Sequence, residues 1–327
     1  MLNLNFRNKN FNLVKKFWIF VIVSAVIILA GLVDMLFVRH MNFGVEFSGG
    51  MRVTVEYEAN DEEEEGLKQT ISDYFEKAGY EVDGEPQNEG SSGKKGLSYR
   101  IKTQVSGEEG ITVKTELEKA LEDAEFEDVE VSASAISSDA KNRIVRNAVL
   151  AVVVAVVVIL VYIAIRFNLL AGIAAIIALL HDVLIMFALT TLFQIPVNTT
   201  FIAAVITIIG YSINATIVVF DRVRENIALP SNLEKTDAEV AEMSVMSTMA
   251  RSILTTLTTL VMIVFLAIFA NTTIREFAYP IIFGLIAGLY SSVLLSASTW
   301  VQLRKLFKQE NKKPVKKIKK IKEQSKA

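Results

Sequence analysis

The residues of this chain that can do chemistry sit inside its apolar runs. In "ALLHDVLIMF", His181 and Asp182 stand at the middle of a long stretch without other charges. Imidazole titrates near pH ~6.5, so a His beside an Asp at that depth can hold or relay a proton. The same two groups can also act structurally, each satisfying a different neighbouring helix, because adjacent residues diverge by about 100° around a helix. An ionisable group at mid-helix costs roughly 2.5–3.5 kcal/mol on insertion scales, which makes each one a functional suspect.

A second set lies in "GYSINATIVVFDRVREN". Gly210, Asn214 and Asp221 occupy positions i, i+4 and i+11, one stripe that also takes in Ile217 and Val218. The Asn214 amide can bond across helices for about 0.6–2 kcal/mol. Asp221 stands three residues before Arg224, within reach of an ion pair. A third set opens with Arg251 and continues through Ser252, Thr255, Thr256 and Thr259 along one side of a helix. Small hydroxylated residues permit close helix contact. Arg251 either snorkels to the aqueous face or reaches inward as a permanent charge. Asp34, near the end of the first apolar run, reads as an interfacial residue.

These residues are positioned by six nearly uncharged runs, at about Phe17–Phe37, Asn147–Ile165, Leu169–Phe193, Thr199–Phe220, Ser252–Ala270 and Phe277–Val301. Each is near or above the roughly 20 residues that cross a ~30 Å hydrocarbon core. The chain has 327 residues, of which 52% are hydrophobic and 21% charged, so charge must be segregated. Its mean hydropathy is +0.40. Arg7, Lys9, Lys15 and Lys16 precede the first run, Arg166 follows the second, and Arg222, Arg224, Lys235 and Arg251 border the fourth-to-fifth connection. Arg304, Lys305 and Lys308 follow the sixth. Positive charge stays on the cytoplasmic side, so both termini are expected inside a multi-pass cell-membrane protein. Lys141, Arg143 and Arg146 depart from the pattern, but they flank a large translocated segment where the rule is weak. The first run exceeds a signal-peptide core and lacks a cleavage site, so it is expected to remain as an anchor.

The division expected is a cytoplasmic N-terminus and first span over 1–38, an external domain over 39–142, five further spans over 143–302 and a basic cytoplasmic tail over 303–327. In the external part, "MRVTVEYE" alternates as a strand, and Leu67, Ile71, Tyr74, Phe75 and Ala78 recur at helical spacing. A short strand near Tyr80–Val82, the turn "NEGSSGKKG", the strand "LSYRIKTQV", the helix "GITVKTELEKALEDA" and the strand "FEDVEVSASAI" follow. The order β-α-β-β-α-β is that of an α+β, ferredoxin-like domain. The acids Asp61–Glu65 suit a solvated helix start rather than a calcium loop. After the fourth span, Val240, Met243, Met246 and Met249 recur at near-helical spacing, and an interfacial helix over about 231–250 is expected. The Lys-rich tail suits anionic lipid or ribosomal RNA, or simply fixes topology.

Several functions are excluded. With no cysteine, disulfides and thiolate chemistry are ruled out, and with two histidines a His-rich metal site is too. There is no P-loop, no Gly-x-Ser-x-Gly and no His-Glu-x-x-His. No enzymatic activity, cofactor or metal is expected. Any work must draw on another protein or on the membrane gradient, where one charge crossing 100 mV supplies ~2.3 kcal/mol.

"GVEFSGG", with Gly44, Glu46, Phe47, Gly49 and Gly50, resembles the Gly-x-Asp-Phe-x-Gly-Gly signature of the SecD/SecF family. "RFN", "ALLHDVLI" and "GYSINATIVVFDRVREN", the last with Gly210, Tyr211 and Ser212, resemble the signatures of its SecF-type members. The resemblance implies half of an RND-superfamily permease, the other half supplied by a SecD-type subunit. It also implies association with the SecYEG channel, often with YajC, and outward pulling of preproteins after SecA has pushed them. The drive would be the proton or sodium motive force; lipids surround the spans and no specific nucleic acid is a partner.

Three departures stand out. Family members usually carry Asn-Asp in the fourth span, where this chain has Asn214-Ala215. Glu46 replaces an Asp, and "SSDAKNRIVRN" replaces a Gly-Pro-rich signature before the second span. With Ala215 unable to ionise, the titrating carboxylate is expected in the SecD-type partner, oriented by Asn214 and tuned by Arg251; otherwise this chain is a scaffold or a different ion is used. Two rival functions are a half-size RND exporter of lipids or small molecules, which needs an acid in the middle of the fourth span, and a structural or sensory membrane protein, whose spans would lack polar stripes.

Overall fold

The computed structural model describes residues 11–58, 61–82, 86–88, 95–102, 107–126, 128–270 and 272–309. Arg7 and Lys9, nearly all of the Lys-rich tail and most of the "NEGSSGKKG" turn lie outside these residues.

Helix α1 (Phe17–Val33) runs into a π-helical turn, Asp34–Val38, and then a single helical turn, α2 (Val45–Ser48). The sheet domain follows as β1 (Gly50–Tyr57), α3 (Asp61–Ala78), β2 (Gln87–Asn88), β3 (Lys95–Ile101), α4 (Gly107–Asp123) and β4 (Glu130–Ile136). Its strands are antiparallel in the order β2-β3-β1-β4, the ferredoxin-like arrangement. β1 lies at the centre, with Val53 opposite Tyr99 on one side and Ala133 on the other. Alternation puts Met51, Val53, Val55 and Tyr57 on one face, where they meet Leu67, Ile71 and Phe75 of α3 and Val113, Leu117 and Leu121 of α4. At the rim, Lys68 and Lys95 pair with Glu64 and hold its carboxyl below the usual range. The short strand expected near Tyr80–Val82 is a single bridge, Val82 to Ile101, and the second strand forms later, at Gln87–Asn88.

The membrane part continues with α5 (Ser138–Arg166), α6 (Leu169–Leu192), α7 (Thr199–Ala228), α8 (Asp237–Phe269), α9 (Thr272–Tyr290), a π-helical segment (Ser291–Ser296) and α10 (Ala297–Leu306). Among the described residues six helical segments are long and apolar enough to cross a membrane, the last running from Thr273 to Leu306. In hydrocarbon each backbone group must be bonded within its own segment, which is what continuous helices provide. Side-chain caps set most of the starts. Ser137, Asn168 and Asn198 accept from the N–H of Ala140, Ala171 and Phe201, and Thr236 closes a capping box with Glu239.

Two boundaries differ from those expected. α5 begins nine residues before its apolar run, because Ser137 caps it and nothing in "SDAKNRIVRN" breaks a helix. Lys141, Arg143 and Arg146 are therefore helical. The helix expected over 231–250 is not separate: after a 3-10 turn at Pro230–Asn232, α8 runs unbroken for 33 residues. Arg251 interrupts neither the helix nor its backbone bonds. α6, α7 and the last span are the most enclosed, whereas α1, α5 and α8 present most of their apolar side chains outward.

Candidate functional site

Asp182, halfway along α6, is fully enclosed. Its Oδ1 lies 2.8 Å from Nδ1 of His181, and its Oδ2 accepts from Ser212 of α7 at 2.5 Å and from Ser291 of the π segment at 2.8 Å. Nε2 of His181 lies 2.8 Å from the hydroxyl of Ser24 on α1, which also contacts the carbonyl of Phe20 at 3.1 Å. The imidazole stacks on Tyr290, with centroids 5.8 Å apart, and the Tyr290 hydroxyl donates to the same Phe20 carbonyl at 2.8 Å. Five segments, α1, α6, α7, α9 and the π segment, thus converge on the His181–Asp182 pair. Gly288 faces it, and a Cβ there would make an ordinary contact with Oδ2 at 3.5 Å. His181 and Asp182, neighbours in sequence, act as one site because their side chains turn toward each other. Ser24, Ser212, Tyr290 and Ser291 join them; only Ser212 was visible in sequence, as part of a motif, and the others are hydroxyls in apolar runs.

The fourth-span stripe points the other way. Gly210 and Asn214 are exposed on α7, and a Cβ at Gly210 would meet nothing within 4 Å among the described residues. Among the described residues the Asn214 amide has no hydrogen-bond partner. Ala215 is half-buried. Two further hydroxyls on α7, Tyr211 Oη and Thr216 Oγ1, are buried without a partner among the described residues. At the end of the stripe Asp221 pairs with Arg224 at 3.3 Å, as its spacing suggested, and with Arg166, the last residue of α5, at 2.7 Å. Arg251 is exposed on α8 and lines a cavity of about 860 Å³ with Asp221, Arg222, Arg224, Glu225 and Ser247. The hydroxyl row of α8 splits: Ser252 and Thr256 are buried, while Thr255 and Thr259 turn back onto the carbonyls of Arg251 and Thr255 at 2.9 and 3.2 Å. Neither Arg251 nor these threonines touch the Asp182 group.

The glycine motif joins the sheet domain to the helices. Gly49 and Gly50 have φ of +80° and +105°, and a Cβ at Gly50 would lie 2.2 Å from the carbonyl oxygen of Ile101. Both positions exclude other residues on conformational grounds, and the second on space as well. The segment before them pairs with the α6–α7 loop. Asn42 accepts from the Val197 N–H at 2.7 Å, Gly44 donates to the Val197 carbonyl at 2.9 Å, and Phe43 bridges Val197 in parallel. The Glu46 carboxylate accepts from the Thr199 N–H at 2.5 Å, at the positive end of the α7 dipole. Phe47 packs on the apolar cluster of Phe201, Val205 and Ile281. Arg100 of β3 donates to Asn42 and to the Phe43 carbonyl, and Lys141 of α5 donates to the Ser48 carbonyl at 2.9 Å.

Asp34, near the end of the first span, is enclosed by the protein. The π turn brings Arg39 over it in two bonds of 2.9 and 3.0 Å, and Arg39 also donates to the Leu192 carbonyl. Among the described residues no cluster of acids and histidines is placed to hold a metal.

Residues 115–306 match the family described as protein export membrane protein SecD/SecF, C-terminal, and residues 35–61 match the SecD/SecF GG motif. The protein translocase subunit SecF of Sebaldella termitidis is 33% identical over 90% of this chain and 92% of that one. The protein translocase subunit SecDF of Bacillus subtilis is 33% identical over 86% of this chain, which spans 36% of its length. The crystal structure of SecDF from Thermus thermophilus, described as a translocon-associated membrane protein, is similar with a TM-score of 0.72 at 29% identity. It covers 91% of this chain, which spans 39% of it.

Proposed function

The chain belongs to the SecD/SecF protein-export family, and from that premise we propose that it is the SecF-type subunit of a Sec preprotein translocase. Its role is transport rather than catalysis. It works late in export, using the proton or sodium motive force to draw preproteins outward. The observation that carries this reading is a correspondence over nearly the whole length of SecF relatives, with the glycine motif placed as a joint between sheet domain and spans.

A SecD-type subunit supplies the second half. The SecDF relatives, which are more than twice as long as the part this chain matches, support that pairing. The surface it covers is the α7 face of Gly210 and Asn214 together with Arg251 of α8. There an amide and a guanidinium stand ready for a carboxylate the partner brings, Asn214 orienting it and Arg251 tuning its charge. SecYEG, SecA and YajC complete the assembly. Both termini lie in the cytoplasm, since Arg166, Arg222, Arg224, Arg251 and Arg304 gather at the end opposite the sheet domain.

The test is preprotein translocation into inverted membrane vesicles after SecA and ATP are exhausted, with proton and sodium gradients imposed separately. Completion driven by a gradient only when this chain is present is the expected result. Equal completion without the chain would overturn the reading.

A further inference from the structure

Four carboxylates are buried among the described residues: Asp34, Asp182, Asp237 and Glu276. Three of them face arginine. Asp34 is paired with Arg39, Asp237 with Arg304 at 2.8 Å and Glu276 with Arg52 at 3.5 Å. A guanidinium does not lose its proton in a protein, so each of these three acids faces a permanent positive charge. Asp182 alone is matched with an imidazole, a group that titrates in the physiological range. We propose that Asp182, acting with His181 and Ser24, is the site at which this chain takes up and releases a proton, in place of the carboxyl its fourth span lacks. The proposal rests on the reading of the chain as a gradient-coupled export subunit.

The hydrogen bonds admit two states that differ by one proton. In the loaded state Ser24 gives its hydroxyl hydrogen to the Phe20 carbonyl, and its oxygen accepts from Nε2–H of His181. Nδ1 then carries no hydrogen of its own, so the 2.8 Å contact with Oδ1 holds the proton of the Asp182 carboxyl. In the unloaded state the carboxyl proton has passed to Nδ1 across that contact, and the proton formerly on Nε2 has left. Nδ1–H donates to the Asp182 carboxylate, and Ser24 turns its hydroxyl hydrogen from Phe20 to Nε2. The Phe20 carbonyl keeps the Tyr290 hydroxyl in both. Ser212 and Ser291 donate to Oδ2 throughout, so the charged form stays solvated by fixed donors.

The groups facing the pair are few. α1 presents Ser24, α7 presents Ser212, and the end of α9 with the π segment presents Tyr290 and Ser291. Besides His181 and Tyr290, no ionisable side chain among the described residues bonds to or stacks on it. One turn along α7 from Ser212, toward the end that holds Arg224, the hydroxyl of Thr216 is 1% exposed and unpartnered. α7 also carries Asn214, two residues from Ser212 and so about 200° around the helix. One helix therefore touches the titrating carboxyl on one side and presents its open face to the partner on the other.

The experiment is infrared difference spectroscopy of the full chain in liposomes as pH is stepped. The unmodified chain is expected to show the C=O band of a protonated carboxyl that is lost on alkalinisation. Asp182→Asn should abolish that band, and Ser212→Ala, which keeps the carboxyl but removes one donor to Oδ2, should shift it. A band unchanged in Asp182→Asn overturns the proposal. Should that variant fail to fold, an unshifted band in Ser212→Ala overturns it equally. Neither a translocase nor a gradient is present, so this outcome is independent of whether the chain drives export.

Discussion

Arg52 of the central strand reaches Glu276 of α9 across 3.5 Å, and the other oxygen of that carboxylate accepts from Asn198, the N-cap of α7. One buried acid therefore ties the sheet domain to the starts of two spans. Removing a single partner of a buried pair leaves the other charge uncompensated, which costs far more than the pair contributes. Glu276→Ala and Arg52→Ala are each expected to loosen the sheet domain, and the double variant to lose less than their sum. The coupling should be roughly 0.5–3 kcal/mol. Thermal unfolding of the two single variants and the double variant in detergent measures it; strict additivity would mean the pair joins nothing.

Gly31 and Gly284 both sit at helix crossings, but what they touch differs. A Cβ at Gly31 would lie 2.4 Å from the Cα of Ala188 in the backbone of α6, whereas at Gly284 it would meet the side chain of Ile208 at 2.4–2.8 Å. Backbone cannot turn aside and an isoleucine can. Gly31→Ala is expected to destabilise the α1–α6 contact by about 1–3 kcal/mol, the usual range for overpacking. Gly284→Ala should cost less, part of it offset by alanine's better helix propensity of about 1 kcal/mol. Unfolding midpoints in the reverse order would contradict the packing described.

How much of this was legible in the sequence depends on which force sets each feature. The spans and the sheet order follow from apolar runs and alternation, and the Asp221–Arg224 pair from local spacing. Starts and ends were less visible. The 231–250 segment carries its own methionine periodicity, but no Gly or Pro separates it from Ser252, so the helix continues. The Asp182 site was half legible. His181-Asp182 stands out because charge in an apolar run is costly, whereas Ser24 and Ser291 cost little anywhere in a helix and gain a role only from tertiary packing. The outward turn of Asn214 and Arg251 was not legible, because a polar stripe looks the same whether it faces its own chain or a partner.

That outward turn gives a separable expectation. Among the described residues nothing lies within 4 Å of a Cβ added at Gly210, and Asn214 has no partner. Gly210→Leu and Asn214→Leu should leave the unfolding of the isolated chain unchanged or slightly improved. Both should weaken co-purification with a SecD-type subunit, Gly210→Leu by steric exclusion and Asn214→Leu by removing a buried donor. If both variants assemble and export normally, this face of α7 is not where the partner sits.

Ala215 allows the last expectation to be set against the proton site. It follows Ser212 by three residues, which places it about 60° around α7 from the serine and one turn along. A carboxyl at 215 would thus lie between the Asp182 cluster and the open face, on the same helix. In the isolated chain Ala215→Asp adds an ionisable group at mid-span, at a cost of roughly 2.5–3.5 kcal/mol on insertion scales. In the assembled translocase it would meet Arg251 or a group of the partner. Asp182→Asn is expected to abolish gradient-driven completion of translocation, and adding Ala215→Asp to restore part of it, because either carboxyl can exchange a proton along α7. Completion that survives Asp182→Asn untouched would place the titrating group in the partner, as Asn214 and Arg251 alone would suggest. A loss that Ala215→Asp leaves uncorrected, in complexes that still assemble, would mean that the His181–Ser24 link, which position 215 does not reach, carries the coupling.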